Sequence, residues 1–168
     1  MRACVTTVTE RMDIQTNTIR VRNARKTNLE LILANHPHDC LTCTRNQNCE
    51  LQTLAQDMGI RDTPFVRTKK MEPEDSTSPA LVRNPNKCIL CSRCANICAN
   101  MQTVHAIATV NRGLKSKITS YMDKGLGNSI CINCGQCAIV CPTGAIVEKD
   151  ETEQVYWDLQ NPDKVVVV

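Results

Sequence analysis

The chain has 168 residues, a formal charge of +3, twelve cysteines and only four aromatic side chains (Phe65, Tyr121, Tyr156 and Trp157). That length suits one or two small domains, but so few large apolar side chains cannot hold them alone, so the cysteines must contribute through disulfides or metal. No apolar run of about 18 residues exists, which excludes a transmembrane helix, and the N-terminal MRACVTTVTE has no secretory h-region, so a cytoplasmic protein is expected, in which metal is favoured over disulfides.

In chain order, residues 1–20 hold two β-rich pieces, Ala3–Thr9 and Asp13–Thr18, short enough to be strands. From Val21 to Asn35 the pattern becomes that of an amphipathic helix, with Leu29, Leu31, Ile32 and Leu33 among charged residues. A second short helix is predicted over Cys49–Met58, closed by Gly59. Residues 67–79 are polar, carry two prolines and read as a linker. A cysteine repeat occupies about Ala80 to Asp150, and its halves are separated by Ala99–Ile130. Within that stretch Ala106–Val110 is predicted as a strand and Ser116–Met122 as a helical turn. Residues 151–160 read as a capped helix with Val155 and Leu159 on one face. The final Lys164–Val168 reads as a buried strand of a parallel sheet. Such a strand needs neighbours, so the expectation is that the chain is cut from a longer one.

The repeat carries Cys88-x2-Cys91-x2-Cys94-x3-Cys98, then Cys131-x2-Cys134-x2-Cys137-x3-Cys141-Pro142, each position recurring after 43 residues. This is bacterial-ferredoxin spacing, in which three cysteines of a run hold one cubane and the fourth reaches the other. The rule assigns Cys88, Cys91, Cys94 and Cys141 to a first [4Fe–4S] cluster, and Cys131, Cys134, Cys137 and Cys98 to a second. Ala99 stands where the usual Cys-Pro ending would place proline, a departure expected to alter only the local turn. Structural zinc uses two separated pairs and leaves the four cysteines of each run unexplained.

Upstream lies His36-Pro-His-Asp-Cys40-x2-Cys43-x5-Cys49. Three cysteines and a histidine complete a cubane, with His36 as the favoured fourth ligand and His38 as its competitor; the local spacing also suits a zinc site. His105 is read as structural and Cys4 as an orphan, either a small buried residue or a ligand without partners. Lys87 and Arg93, close in sequence to the first ferredoxin-type cluster, have two readings: cations that raise its potential, or, more ordinarily, solvent-facing charge.

The positive charge counts cysteines as neutral thiols. Eleven thiolates around three oxidised cubane cores of about +2 each bring the total to roughly −2. No dense Lys/Arg tract is present, so nucleic acid is excluded as a partner.

The motif His36-x3-Cys40-x2-Cys43-x5-Cys49-x-Leu51-Gln52 followed by the eight-cysteine repeat resembles the N-terminal accessory iron–sulfur region of the catalytic subunit of multimeric [FeFe] hydrogenases, of the NAD(P)-linked or electron-bifurcating kind. Ala3-Cys4-Val5-Thr6 resembles the end of the plant-type [2Fe–2S] domain of that family, whose first three cysteines are absent here. The resemblance implies an α+β chain: a remnant of that domain at 1–20, a small helical domain holding a His-ligated [4Fe–4S] cluster at 21–75, a 2[4Fe–4S] ferredoxin-like domain at 76–150, and a connector at 151–168 to a catalytic domain absent from the chain. It implies three [4Fe–4S] clusters, no complete [2Fe–2S] site and no catalytic centre. The partners implied are iron–sulfur or flavin subunits of a hetero-oligomeric redox complex, or ferredoxin.

The expected role is single-electron relay between a redox partner and a hydrogen-activating domain. Rivals are the same relay in an NAD-dependent formate dehydrogenase, a free-standing ferredoxin-like carrier and a zinc scaffold. The large iron–sulfur subunit of respiratory NADH dehydrogenase shares the His-ligated motif and is expected to fit the eight-cysteine run less well.

Overall fold

A computed structural model describes residues 6–164. Helix α1 (Ile19–Ala34) starts at Thr18, whose hydroxyl accepts from the Val21 N–H and so satisfies a first-turn donor. It buries Leu29 and Ala34, half-buries Ile32 and Leu33 and exposes Leu31, the i, i+3, i+4 stripe of a helix packed on one side. Helix α2 (Glu50–Asp57) buries Leu51. It closes as a Schellman motif: the Gly59 N–H donates to the Gln56 carbonyl and the Ile60 N–H to the Ala55 carbonyl, with Gly59 at φ 63°.

Among the described residues the N-terminal strands are not seen: residues 7–9 and Asp13–Thr18 lie outside any strand, and a turn between them places Arg11 at φ 59°; an isolated short β-rich segment is at best marginally stable as a strand. Ala3–Val5 of the first expected strand lie outside the described residues, as does Val165–Val168 of the C-terminal one.

Four short strands follow: β1 (Leu81–Arg83), β2 (Ile107–Val110), β3 (Lys117–Ser120) and β4 (Ile146–Glu148). β1 pairs antiparallel with β4, Leu81 opposite Glu148, and so ties together the two ends of the cysteine repeat. β2 pairs antiparallel with β3, Ile107 opposite Ser120. The helical turn predicted over Ser116–Met122 is therefore a strand through Ser120: Ile118 and Thr119 are β-branched and buried, and pairing with β2 satisfies their backbone. A 3₁₀ turn follows at Tyr121–Asp123.

The repeat is legible in backbone conformation. Helix α3 (Arg93–Asn96) and helix α4 (Gln136–Ile139) stand 43 residues apart, like the cysteines. The residues before them match too, Leu90 and Asn133 at φ 57° and 55°, Ser92 and Gly135 at φ 61° and 74°. The halves differ where their sequences differ. Pro142 follows Cys141 and cannot continue a helix, whereas Ala99 lets α3 run on as a π-turn over Ile97–Met101.

The core is built from Leu81, Ile107, Ile118, Leu126, Ala138 and Ile146 around the thiols of Cys94 and Cys137, with Cys88, Cys98 and Cys141 packed against them. All four aromatic residues are exposed. Arg83, only 5% exposed, joins the sheets: its guanidinium donates to the Ile118 carbonyl at 2.6 Å and faces the Asp75 carboxylate at 3.5 Å. The stretch 67–79 is irregular but pinned. Asn35 Oδ1 accepts from the backbone N–H groups of Thr68 and Lys69, and Asn86 exchanges two hydrogen bonds with the Glu72 backbone. Helix α5 (Thr152–Gln160) leaves Val155 and Leu159 exposed.

Candidate metal centres

Three cavities gather the predicted ligands. One is lined by Cys88, Cys91, Cys94 and Cys141. Another is lined by Cys98, Cys131, Cys134 and Cys137. Each thus takes three thiols from one run and the last thiol of the other. A third, more open cavity is lined by His36, Cys40 and Cys49, while Cys43 sits to one side, its Sγ 3.4 Å from Lys87 Nζ. Cys4 lies outside the described residues.

The left-handed residues shape the loops. Turning the chain at Leu90 and Ser92, and again at Asn133 and Gly135, curls each C-x2-C-x2-C segment around its cavity. At Asn133 the turn also directs the backbone N–H onto Cys131 Sγ at 3.5 Å. Cys98 Sγ accepts from the Ala106 N–H at 3.3 Å. Such donors stabilise negative charge on sulfur and tune a bound cluster.

Burial sets the protonation of the thiols. It pushes Cys94 up to about 12, helped by the charges of Cys88, Cys141 and Cys91. It pushes Cys137 up to about 11, helped by Cys131. Cys88 and Cys40 are raised in the same way. Without metal these thiols keep their protons at neutral pH, and metal binding must release them.

The two upstream histidines are told apart by their hydrogen bonds. His36 Nδ1–H donates to the Pro37 carbonyl at 2.8 Å, which leaves a lone pair on Nε2. That atom is buried and has no hydrogen-bond partner, and burial lowers the ring's pKa, keeping it neutral. His38 is exposed, and its Nε2–H donates to the Leu33 carbonyl at 3.1 Å. A half-buried imidazole with one nitrogen bonded to a carbonyl and the other buried and free is the arrangement of a metal-ligating histidine.

The donor set fits iron–sulfur clusters: four thiols line each ferredoxin-type cavity, the number that one cubane takes.

The cations fall differently from the sequence expectation. Lys87 is not solvent-facing: its side chain is 13% exposed and pairs with Asp39 at 3.0 Å. Arg93 is exposed as expected, but it makes a two-pronged pair with Glu50. Sequence reasoning missed Gly144, where an added Cβ would lie 3.0 Å from Cys43 Sγ; its place two residues after the Cys-Pro pair was the available signal. Among the described residues no helix is long and apolar enough to cross a membrane.

Residues 25–64 match the NADH-ubiquinone oxidoreductase-G iron-sulfur binding region, and residues 78–147 match the NADH-quinone oxidoreductase subunit 3, ferredoxin-like domain. The eight-cysteine run therefore fits the respiratory enzyme's family better than expected. The chain is 44% identical to the NADP-reducing hydrogenase subunit HndD of Solidesulfovibrio fructosivorans over 99% of its own length and 28% of that protein. It is 31% identical to the NADH-ubiquinone oxidoreductase 75 kDa subunit of Acanthamoeba castellanii, over 88% of its length and 21% of that protein. The chain thus spans less than a third of either relative. An NAD+-reducing [NiFe]-hydrogenase crystallised in the H2-reduced state superposes with a TM-score of 0.73 at 28% identity, over 79% of this chain and 57% of that one. The chain is thus similar to the iron–sulfur region shared by these hydrogenase and NADH-oxidoreductase subunits, and its matched iron–sulfur binding regions make it an electron relay.

Proposed function

We propose that the chain holds three [4Fe–4S] clusters, ligated by His36, Cys40, Cys43 and Cys49; by Cys88, Cys91, Cys94 and Cys141; and by Cys131, Cys134, Cys137 and Cys98. The observation that carries this is the exchange of Cys98 and Cys141 between the two ferredoxin-type cavities, the pattern that two adjacent cubanes require. The orphaned Nε2 of His36 supports the third set. When bound, such clusters take up and release single electrons with little rearrangement. The protein's own part is to fix the ligands, donate to their sulfurs and limit water around them.

The divisions that go with this are a remnant of a [2Fe–2S] domain at 1–20, with Cys4 as its leftover ligand and no complete site, a His-ligated domain at 21–75, a 2[4Fe–4S] domain at 76–150 and a connector at 151–168. In the full-length protein the relay serves a cytoplasmic NAD(P)-linked hydrogenase, joining iron–sulfur or flavin partner subunits, or ferredoxin, to a hydrogen-activating domain. The higher identity to HndD supports that choice. A second reading, the relay of an NADH-quinone oxidoreductase, is favoured by the two matched families. Hydrogen-dependent reduction of NADP by the full-length protein in its complex separates the two.

The test of the ligand sets is iron and sulfide analysis with EPR on anaerobically loaded protein. About twelve iron and twelve sulfide per chain are expected. His38→Ala should keep that count, and His36→Ala should fall to about eight. Equal losses in the two variants, or stoichiometric zinc in place of iron, would overturn the assignment.

A further inference from the structure

Lys87 occupies the seam between two of these ligand sets. Its ammonium lies 3.4 Å from Cys43 Sγ and 3.0 Å from Asp39 Oδ2. Its own carbonyl accepts from Thr143 Oγ1 at 2.8 Å, and the next residue is Cys88. The site is built tightly around this arrangement. A Cβ on Gly144 would come within 3.0 Å of Cys43 Sγ and 3.5 Å of Lys87 Cδ, so glycine is what lets the lysine stem and the thiol share the space. With 13% of its side chain exposed, Lys87 is poorly screened by water, unlike a surface cation.

An ammonium donating to a ligand sulfur stabilises the cluster state that carries more negative charge, which is the reduced one. The Asp39 carboxylate on the same nitrogen acts in the opposite sense. Both groups lie outside the ligand set itself, so they bias its potential without altering its composition.

We propose that Lys87 is a positioning residue that raises the reduction potential of the centre held by His36, Cys40, Cys43 and Cys49, and that Asp39 limits the rise. The proposal rests on that ligand assignment. It makes the potential of the upstream centre depend on a residue of the ferredoxin-like part, through a contact spanning 44 positions of sequence.

The test is an EPR-monitored redox titration of the cluster-loaded full chain. In Lys87→Met the midpoint of the upstream centre should fall, with the reduced-to-oxidised ratio at fixed potential dropping about tenfold, about 59 mV for one electron. Lys87→Arg should restore most of it, and Asp39→Asn should move the midpoint upward. The centre holding Cys98 should stay where it is in all three. An unmoved upstream midpoint in Lys87→Met, or equal shifts of every centre, would overturn the proposal. If Lys87→Met fails to load the upstream centre, Asp39→Asn decides: a midpoint that stays put or falls overturns it. Wild-type protein that loads only two centres would refute the ligand assignment itself, and the proposal with it.

Discussion

The Glu50 N–H donates to the Pro142 carbonyl at 3.0 Å, joining the residue after Cys49 to the residue after Cys141. One hydrogen bond therefore connects the start of the helix that follows Cys49 to the turn that follows Cys141. The start of α2 supplies the donor, since first-turn N–H groups have no partner inside their own helix. Arg45 reinforces the seam by donating to the Ala138 carbonyl at 2.7 Å.

The Arg93–Glu50 pair crosses the same seam, with contacts of 2.5 and 2.8 Å, yet should contribute little to stability. Its side chains are 48% and 56% exposed, and exposed pairs are worth about 0.5 kcal/mol. Arg93→Ala should lower unfolding stability by no more than about 1 kcal/mol, measured anaerobically by urea denaturation of the loaded protein. A larger loss would mean that the pair, and not the backbone bond beneath it, holds the seam.

Removal of the clusters should have a far larger effect. Cysteine thiols are woven through the core, and the aromatic residues are all outside it. Chelation of iron should unfold the segment from Cys88 to Cys141, because binding free energy here is folding free energy. The measurement is amide hydrogen exchange before and after chelation. Protection retained in β1 and β4 would contradict this.

Much of the candidate site is legible in the sequence because it is written in cysteine spacing, which reports geometry directly. The grouping of Cys141 with the first run and of Cys98 with the second, the short α2 with its Gly59 closure and the strand near Ala106 all follow from local pattern. What local pattern conceals is tertiary. Leu90 and Ser92 adopt positive φ although neither is a residue type that favours it; only their repeat mates Asn133 and Gly135 carry the signal. Ser116–Met122 looks helical until Ile107 supplies a partner edge. Lys87 looks solvent-facing until Gly144 brings Cys43 beside it, and no short-range rule links positions 44 apart.

Gly127 makes a packing prediction independent of the metal centres. A Cβ there would meet the Thr77 carbonyl oxygen at 2.1 Å and its carbon at 2.5 Å. Backbone on both sides cannot swing away as a side chain would. Gly127→Ala should therefore cost about 2–3 kcal/mol through overpacking, read as a lower urea midpoint with iron content unchanged at the start. A midpoint equal to wild type would show that residues 75–78 move freely against the turn at Leu126.

Acid should weaken the network around Arg83 in a defined direction. Hydrogen bonds from Lys117 and then Thr119 hold Asp123 below the usual carboxylate range. For Asp75, burial acts upward but is outweighed by donors from Thr77 and the Leu126 N–H, so its pKa is also lowered. A carboxyl group whose folded pKa is depressed stabilises the fold fully above its unfolded value of about 3.9, and that stability is lost as pH falls through the folded value. Asp123→Asn removes one such group. The thermal midpoints of wild type and Asp123→Asn should differ by a constant amount above about pH 5 and converge below about pH 4. Acid also attacks thiolate ligation, but it does so in both proteins, so the difference between them isolates the carboxylate. A gap that widens on acidification would show that Asp123 gains no stability from Lys117 and Thr119.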